Sequence, residues 1–199
     1  MQYFAYAIIG TAIMSLRFAI LTLLESDPGS GYDLMRHFKA GIGHFWNASH
    51  QQVYQELGKL HADGLVEFEV EHQSERPDRK VYRLTAPGQA ALAEWRQQPV
   101  KPHRVNDALL VKVYGGLNVP PAQLLAELEA HAAQHRERLE EYRVSEARFL
   151  ALTPEERTPY RLPYLTLRRG ILYEQDWLRW LDEARIELSL LAAEQSAQP

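Results

Sequence analysis

The sequence predicts a mainly α chain built in two parts, three helices closed by a β-hairpin and then a wholly helical half. Three observations carry this. Residues 14–64 hold apolar stripes at helical spacing, punctuated by Gly- and Ser-rich breaks. Leu65-Val66-Glu67-Phe68-Glu69-Val70-Glu71 alternates apolar and acidic residues in strict period two, the pattern of a half-buried strand. Beyond residue 100, two long stretches keep an apolar period of helical type. Three helices followed by a hairpin is the order of a winged helix-turn-helix, and the long amphipathic helices beyond it read as a C-terminal α-helical dimerisation domain.

The elements follow in order. From Tyr3 to Leu24 only Arg17 is charged, a run nearly long enough to span a bilayer. A signal peptide needs a basic start, which Met1-Gln2-Tyr3-Phe4 lacks; a membrane anchor would bury Arg17 inside the span and is diluted by Thr11, Ser15 and Thr22. The favoured reading makes residues 1–13 an apolar N-terminal extension and Met14 an alternative start. Ser15 then caps a helix that turns Phe18, Ile20, Leu21, Leu23 and Leu24 toward a core. Glu25-Ser26-Asp27-Pro28-Gly29-Ser30-Gly31 ends it. A short second helix runs from Tyr32 to Phe38 and is stopped by Gly41 and Gly43, and a third starts after Asn47 with Ser49 as cap and ends at Gly64.

That third helix has two faces. Val53, Leu57 and Leu60 make one apolar stripe, opposed by His50, Gln51, Gln55 and Lys59 with Gln52 and Tyr54 at the margins. Glutamine, serine and asparagine carry both donor and acceptor without a charge, as reading base edges in a major groove requires. A polar helix face alone is also what any solvated helix shows. The hairpin adds the second signal: Val81-Tyr82-Arg83-Leu84 reads as the returning strand, and residues 72–80 form a polar tip crowded by Arg76, Arg79, Lys80 and Arg83, a local basic patch suited to phosphates. Such a patch is needed, because the formal net charge of the 199-residue chain is -4. After it, Thr85 caps a helix with Pro87 in its first turn and Ala90, Leu92 and Trp95 as bulk, ending in the Pro99 to Pro102 linker. The expected domains are therefore the extension at 1–13, a DNA-binding winged helix-turn-helix at 14–99 and a helical domain at 100–199.

In the second half, Asp107 to Tyr114 reads as a short helix stopped by Gly115-Gly116. Pro120-Pro121 starts a long helix burying Leu124, Leu125, Leu128, Ala132, Leu139 and Tyr142, and Thr153-Pro154-Glu155-Glu156 marks a loop. A second long helix from Leu165 to Ala193 stripes Leu167, Ile171, Trp177, Leu178, Leu181, Leu188 and Leu191. Two such helices cannot cover both their faces within one small domain, which calls for a second subunit.

These residues resemble the PadR family of bacterial transcriptional regulators. The similar stretches are Met14-Ser15-Leu16-Arg17, Gly31-Tyr32-Asp33-Leu34, Val53-Tyr54-Gln55-Glu56-Leu57 leading to Leu60 and Asp63-Gly64-Leu65-Val66, and Arg79-Lys80-Val81-Tyr82-Arg83-Leu84-Thr85 before Gly88. Tyr173-Glu174-Gln175-Asp176-Trp177-Leu178-Arg179-Trp180-Leu181 resembles the helical region of members with the longer arm. The resemblance implies a recognition helix over Ser49 to Leu60, a wing at 72–80, a homodimer and a small aromatic effector. The chain departs from the pattern at Gly58, mid-helix, and at His61, where members usually carry an acid.

Enzymatic constellations are thin. The absence of cysteine removes disulfides, thiol nucleophiles and cysteine zinc sites. His131 and His135 lie one helical turn apart but lack the intervening glutamate of a zinc protease and read as surface histidines; Ser49-His50 fall on different sides of a helix; Ser30-Gly31 and Gly41-Ile42-Gly43 lack a following Lys-Ser/Thr. Trp46 and Trp95 read as core or interface, with a flat aromatic ligand between subunits as the other use. The expectation is thus a cytoplasmic, sequence-specific DNA-binding regulator with no cofactor, no metal and no membrane contact. It would be a ligand-responsive homodimeric repressor on a palindromic operator in double-stranded DNA; a winged-helix protein-interaction adaptor is the alternative.

Overall fold

The computed structural model describes residues 16–43, 45–46, 48–72, 78–102 and 106–197. The extension at 1–13, the Ser15 cap and Arg76 lie outside the described residues. The chain divides into two compact units after Pro102.

In the first unit, helix α1 occupies residues 16–26 and buries Phe18, Ile20, Leu21 and Leu24. Gly29–Ser30 then forms a short strand, β1, where the sequence suggests only a break. Two residues carry no period to read; the strand exists because β3 offers Tyr82 and Val81 as ladder partners. Helix α2, Gly31–His37, opens on a capping box in which the Ser30 hydroxyl accepts from the Asp33 backbone N–H and Asp33 accepts from the Ser30 backbone. It passes Gly41 and ends at Gly43: the chain widens into a π-helical turn over Phe38–Ile42 with Gly43 as its C-cap, and Phe38 is buried in the core.

Helix α3, His50–Ala62, ends at Asp63, and Gly64 follows at φ 72°, the left-handed conformation that glycine adopts without strain. Strands β2, Val66–Glu71, and β3, Arg79–Leu84, pair antiparallel, giving the sheet order β1-β3-β2. The returning strand begins at Arg79 rather than Val81, because Glu71 and Val70 pair with Arg79 and Lys80 and draw both out of the turn. Helix α4, Ala86–Gln97, is capped by Thr85. At Gly88 a Cβ would collide with the Leu65 carbonyl oxygen, so only glycine lets α4 approach β2 this closely. Ile20, Leu21, Leu34, Val53, Leu57, Leu60, Val66 and Leu92 fill the common core.

The second unit comprises α5, Ala108–Tyr114, a 3-10 turn at Gly116–Asn118, and α6, Pro121–Leu150. Then come α7, Pro154–Arg157, a second 3-10 turn at Thr158–Tyr160 and α8, Arg161–Ala197. The expected loop at Thr153 is a one-turn helix, because Thr153 and Glu156 cap each other reciprocally. Winding therefore resumes early, α8 starts at Arg161, and Pro163 is tolerated in its first turn, where no N–H is needed. α6 and α8 run antiparallel, as ion pairs from Glu129 to Arg185 and from Glu146 to Arg168 show. Leu124, Leu128 and Ala132 meet Leu181 and Leu188 in their seam. No described helix is long and apolar enough to cross a membrane.

Candidate nucleic-acid interface

Burial of Val53, Leu57 and Leu60 orients α3 and leaves His50, Gln51, Gln55 and Lys59 in solvent. The two residues at its start are already engaged. The Ser49 hydroxyl accepts from the Gln52 backbone N–H at 3.2 Å, and Gln52 Oε1 accepts from the Ser49 N–H at 2.9 Å. Ser49 and Gln52 thus hold the helix end, and the Gln52 amide NH₂ is what remains for a partner. Serine followed three residues later by glutamine was a readable signature of this. Tyr54 is half exposed, its ring resting where a Cβ of Gly31 would otherwise sit. Gly58 leaves α3 unbroken, with open space around it. His61 Nδ1 lies 3.1 Å from the Val66 carbonyl oxygen.

Behind the exposed face stands a carboxylate that sequence reasoning did not single out. Glu56 is buried on α3, with Arg17 Nε of α1 at 3.3 Å and Lys59 Nζ at 3.5 Å; Arg17 also pairs with Asp63 at the helix end. One guanidinium therefore ties α1 to both ends of the second half of α3. The available signal was Arg17 itself, the lone charge in an apolar helix.

The hairpin is charged differently from what its composition suggests. Strand alternation puts Val66, Phe68 and Val70 on one side and Glu67, Glu69 and Glu71 on the other, where the register sets them beside Arg79 and Arg83. Arg79 Nε donates to Glu71 at 2.6 Å and its guanidinium lies 3.5 Å from Asp33. Arg83 Nε donates to Glu67 at 3.0 Å, with a further nitrogen 2.7 Å from Glu69. These carboxylates, Glu71 foremost for Arg79 and Glu67 for Arg83, push both guanidinium pKa values above their ordinary range. Lys80 sits on the other side, its Nζ 4.2 Å above the Phe68 ring. Burial, and then Tyr54, raise the pKa of the Tyr82 hydroxyl, which thus stays protonated.

Trp95 stacks on Phe18 at 4.6 Å and Trp46 packs at the margin of the same core. In the second unit, His135 is not a surface residue: it is buried, bonded to the buried Glu174 and stacked on Trp177 at 4.0 Å. The inward helix face places it there, and its partner lies too far along the chain to read. His131 stacks more distantly on Trp177, at 6.3 Å. Among the described residues no group of three or more His, Asp or Glu side chains could hold a metal ion.

A capped polar helix braced by a three-stranded sheet, in one chain with a pair of long helices, defines a winged-helix regulator of transcription rather than an enzyme. Residues 20–94 match the transcriptional regulator PadR-like family and residues 105–189 match the virulence activator alpha C-terminal family. A probable transcriptional regulator of Mycobacterium tuberculosis is 35% identical over 85% of this chain and 95% of its own. The negative transcriptional regulator PadR of Bacillus subtilis is 32% identical over 84% and 93%. The chain belongs to the PadR-like family of transcriptional regulators. Among solved structures, Bacillus subtilis PadR in complex with operator DNA superposes with a TM-score of 0.74 at 28% identity, covering 89% of this chain and 99% of that one. The same protein in complex with p-coumaric acid gives 0.68 at 28%, covering 88% and 98%. The Vibrio cholerae virulence activator AphA gives 0.70 at 35% identity, covering 89% and 99%.

Proposed function

We propose that this protein is a cytoplasmic, ligand-responsive repressor that binds a palindromic operator as a homodimer and releases it when a small aromatic molecule binds. The observation that carries the reading is α3: an N-terminally capped helix that turns His50, Gln51, Gln55 and Lys59 to solvent while its other face is locked into the core. Gln51 and Gln55 would read base edges, and Lys80 and Arg76 would meet phosphates from the wing, while Arg79, which the sequence also offers to phosphates, is held by Glu71.

The homodimer is supported by apolar surface that the second unit leaves in water. On α8, Leu165, Leu172 and Ile186 recur at multiples of seven residues and are exposed, as are Val111, Tyr114 and Leu117 around α5. A second copy laying the same stripe against them would cover both. Two recognition helices related by a two-fold axis then read a symmetric site. Repression follows from the likeness to Bacillus subtilis PadR, a negative transcriptional regulator, and an aromatic effector follows from that protein's p-coumaric acid complex. Trp46 and Trp95 are the candidate effector-binding residues, and the effector would act by a population shift between operator-competent and incompetent arrangements.

The test is an electrophoretic shift on DNA upstream of the protein's own coding region, with and without p-coumaric acid, followed by Gln51→Ala and Gln55→Ala. A shift that weakens steeply with salt and loses sequence preference in the two variants is the expected result. Binding to protein partners without any salt-sensitive shift would establish the adaptor reading instead. A reporter gene that rises when the regulator is deleted marks a repressor; one that falls marks an activator.

A further inference from the structure

We propose that Glu67, Glu69 and Glu71 act as a guard on the wing: by holding Arg79 and Arg83 they suppress non-specific phosphate binding and so set the discrimination between operator and bulk DNA. The inference rests on the DNA-binding reading above and deepens it.

The outer face of the hairpin is an alternating ladder of ions. Register pairs Glu71 with Arg79 and Glu67 with Arg83, and Glu69 reaches Arg83 diagonally. Asp33, at the start of α2, closes on Arg79 from the neighbouring helix. Four carboxylates therefore answer two guanidiniums, and the three of the hairpin are well exposed; Glu69, the most open, has 69% of its side chain in solvent. Exposed pairs of this kind add little to stability, so holding the fold together is a weak reason for so many in one row. Their effect on an approaching polyanion is larger. Non-specific binding comes from cations that displace counterions from phosphates. A guanidinium already sharing a carboxylate must release it to do so, and the carboxylate left behind repels the same phosphate. Affinity gained without sequence information is thereby reduced, while contacts made by Gln51 and Gln55 on α3 are untouched.

The experiment measures binding of the full-length protein to a scrambled duplex and to the upstream duplex across a salt series, by fluorescence anisotropy. In E67Q/E69Q/E71Q the slope of log affinity against log salt on the scrambled duplex should steepen by up to roughly 1.8, because each newly available phosphate contact contributes about 0.9. Scrambled-duplex affinity at low salt should rise roughly tenfold and the operator preference should fall. R79Q/R83Q should change the slope little in the parent and abolish the gain in the triple variant. A control that removes acids away from the hairpin, D27N/E94Q, should leave the slope unchanged. An unchanged slope in the triple variant, an equal effect of R79Q/R83Q in both backgrounds, or an equal gain in the control would each overturn the guard. A parent protein that binds neither duplex would sink the DNA-binding reading itself. Thermal melts establish that the triple variant is folded; if it is not, E69Q alone leaves Arg83 its Glu67 bond and must show a partial steepening.

Discussion

Among the described residues each half of the molecule buries one glutamate, and the two are answered in opposite ways. Glu56 lies under α3 but faces Arg17, a cation with 27% of its side chain in water, while Lys59 approaches from the surface. Glu174 is enclosed between the long helices and faces His135, itself buried and stacked on Trp177. A guanidinium keeps its charge at any physiological pH, so the first pair is a permanent tie at the rim of a core. The second pair is a hydrogen-bonded unit packed inside a seam. The consequences differ: the rim pair braces α3, the helix proposed to read DNA, whereas the buried pair joins α6 to α8 inside their seam.

The largest expected effect comes from the enclosed pair. His135→Ala should cost about 3–5 kcal/mol, as removal of one partner from a buried pair does, read as a lowered midpoint in thermal or urea unfolding. His135→Leu with Glu174→Leu should recover most of it. If His135→Ala instead costs under about 1 kcal/mol, the pair is not dry and the contrast with Glu56 disappears.

Arg17→Ala comes next, at about 1–3 kcal/mol, because Glu56 retains Lys59 as a partner. Unlike His135→Ala it should also weaken operator binding, since α3 loses its brace at Glu56 and Asp63. Loss of stability with unchanged operator affinity would show that the tie does not aim the helix.

A third measurement uses pH. The Ser30 hydroxyl donates to Asp33 at 2.7 Å and its N–H at 3.0 Å, which holds the Asp33 pKa below the ordinary carboxylate value. A depressed folded-state pKa stabilises the fold above the unfolded value, near ~3.9, and that contribution is lost as pH falls through the folded value. The stability difference between the parent and Ser30→Ala should therefore shrink on acidification below about pH 4. A difference that stays constant with pH would leave only the backbone cap. The smallest effect belongs to Arg96→Ala. Its guanidinium bonds Glu25 at 2.9 and 2.5 Å and holds that pKa low, but both side chains are more than 40% exposed, so the cost should stay under about 1 kcal/mol and fall with added salt.

Much of the architecture could be read from local pattern. The Val53, Leu57, Leu60 stripe, the period-two run of β2, the Thr85 cap and the stripes of α6 and α8 all stand where periodicity and capping place them. What escaped were short or long-range features. Strand β1 has too few residues to show a period, and the π-helical turn after His37 follows from where Phe38 must pack. His135 looked like a surface residue because Glu174, which explains it, is 39 positions away. The wing looked basic because arginines were counted along the chain, while their carboxylates stood opposite across the ladder.

The sequence by itself determined the order of elements, the faces of the helices and the family, because amphipathic period and capping are local and each residue's side is set by its neighbours. Only the tertiary structure decided which charges are free. Whether Arg79 offers a charge to phosphate or spends it on Glu71 depends on strand register, and whether His135 is wet or enclosed depends on how two helices meet. Electrostatic interaction falls with distance through space, and distance through space is what folding creates.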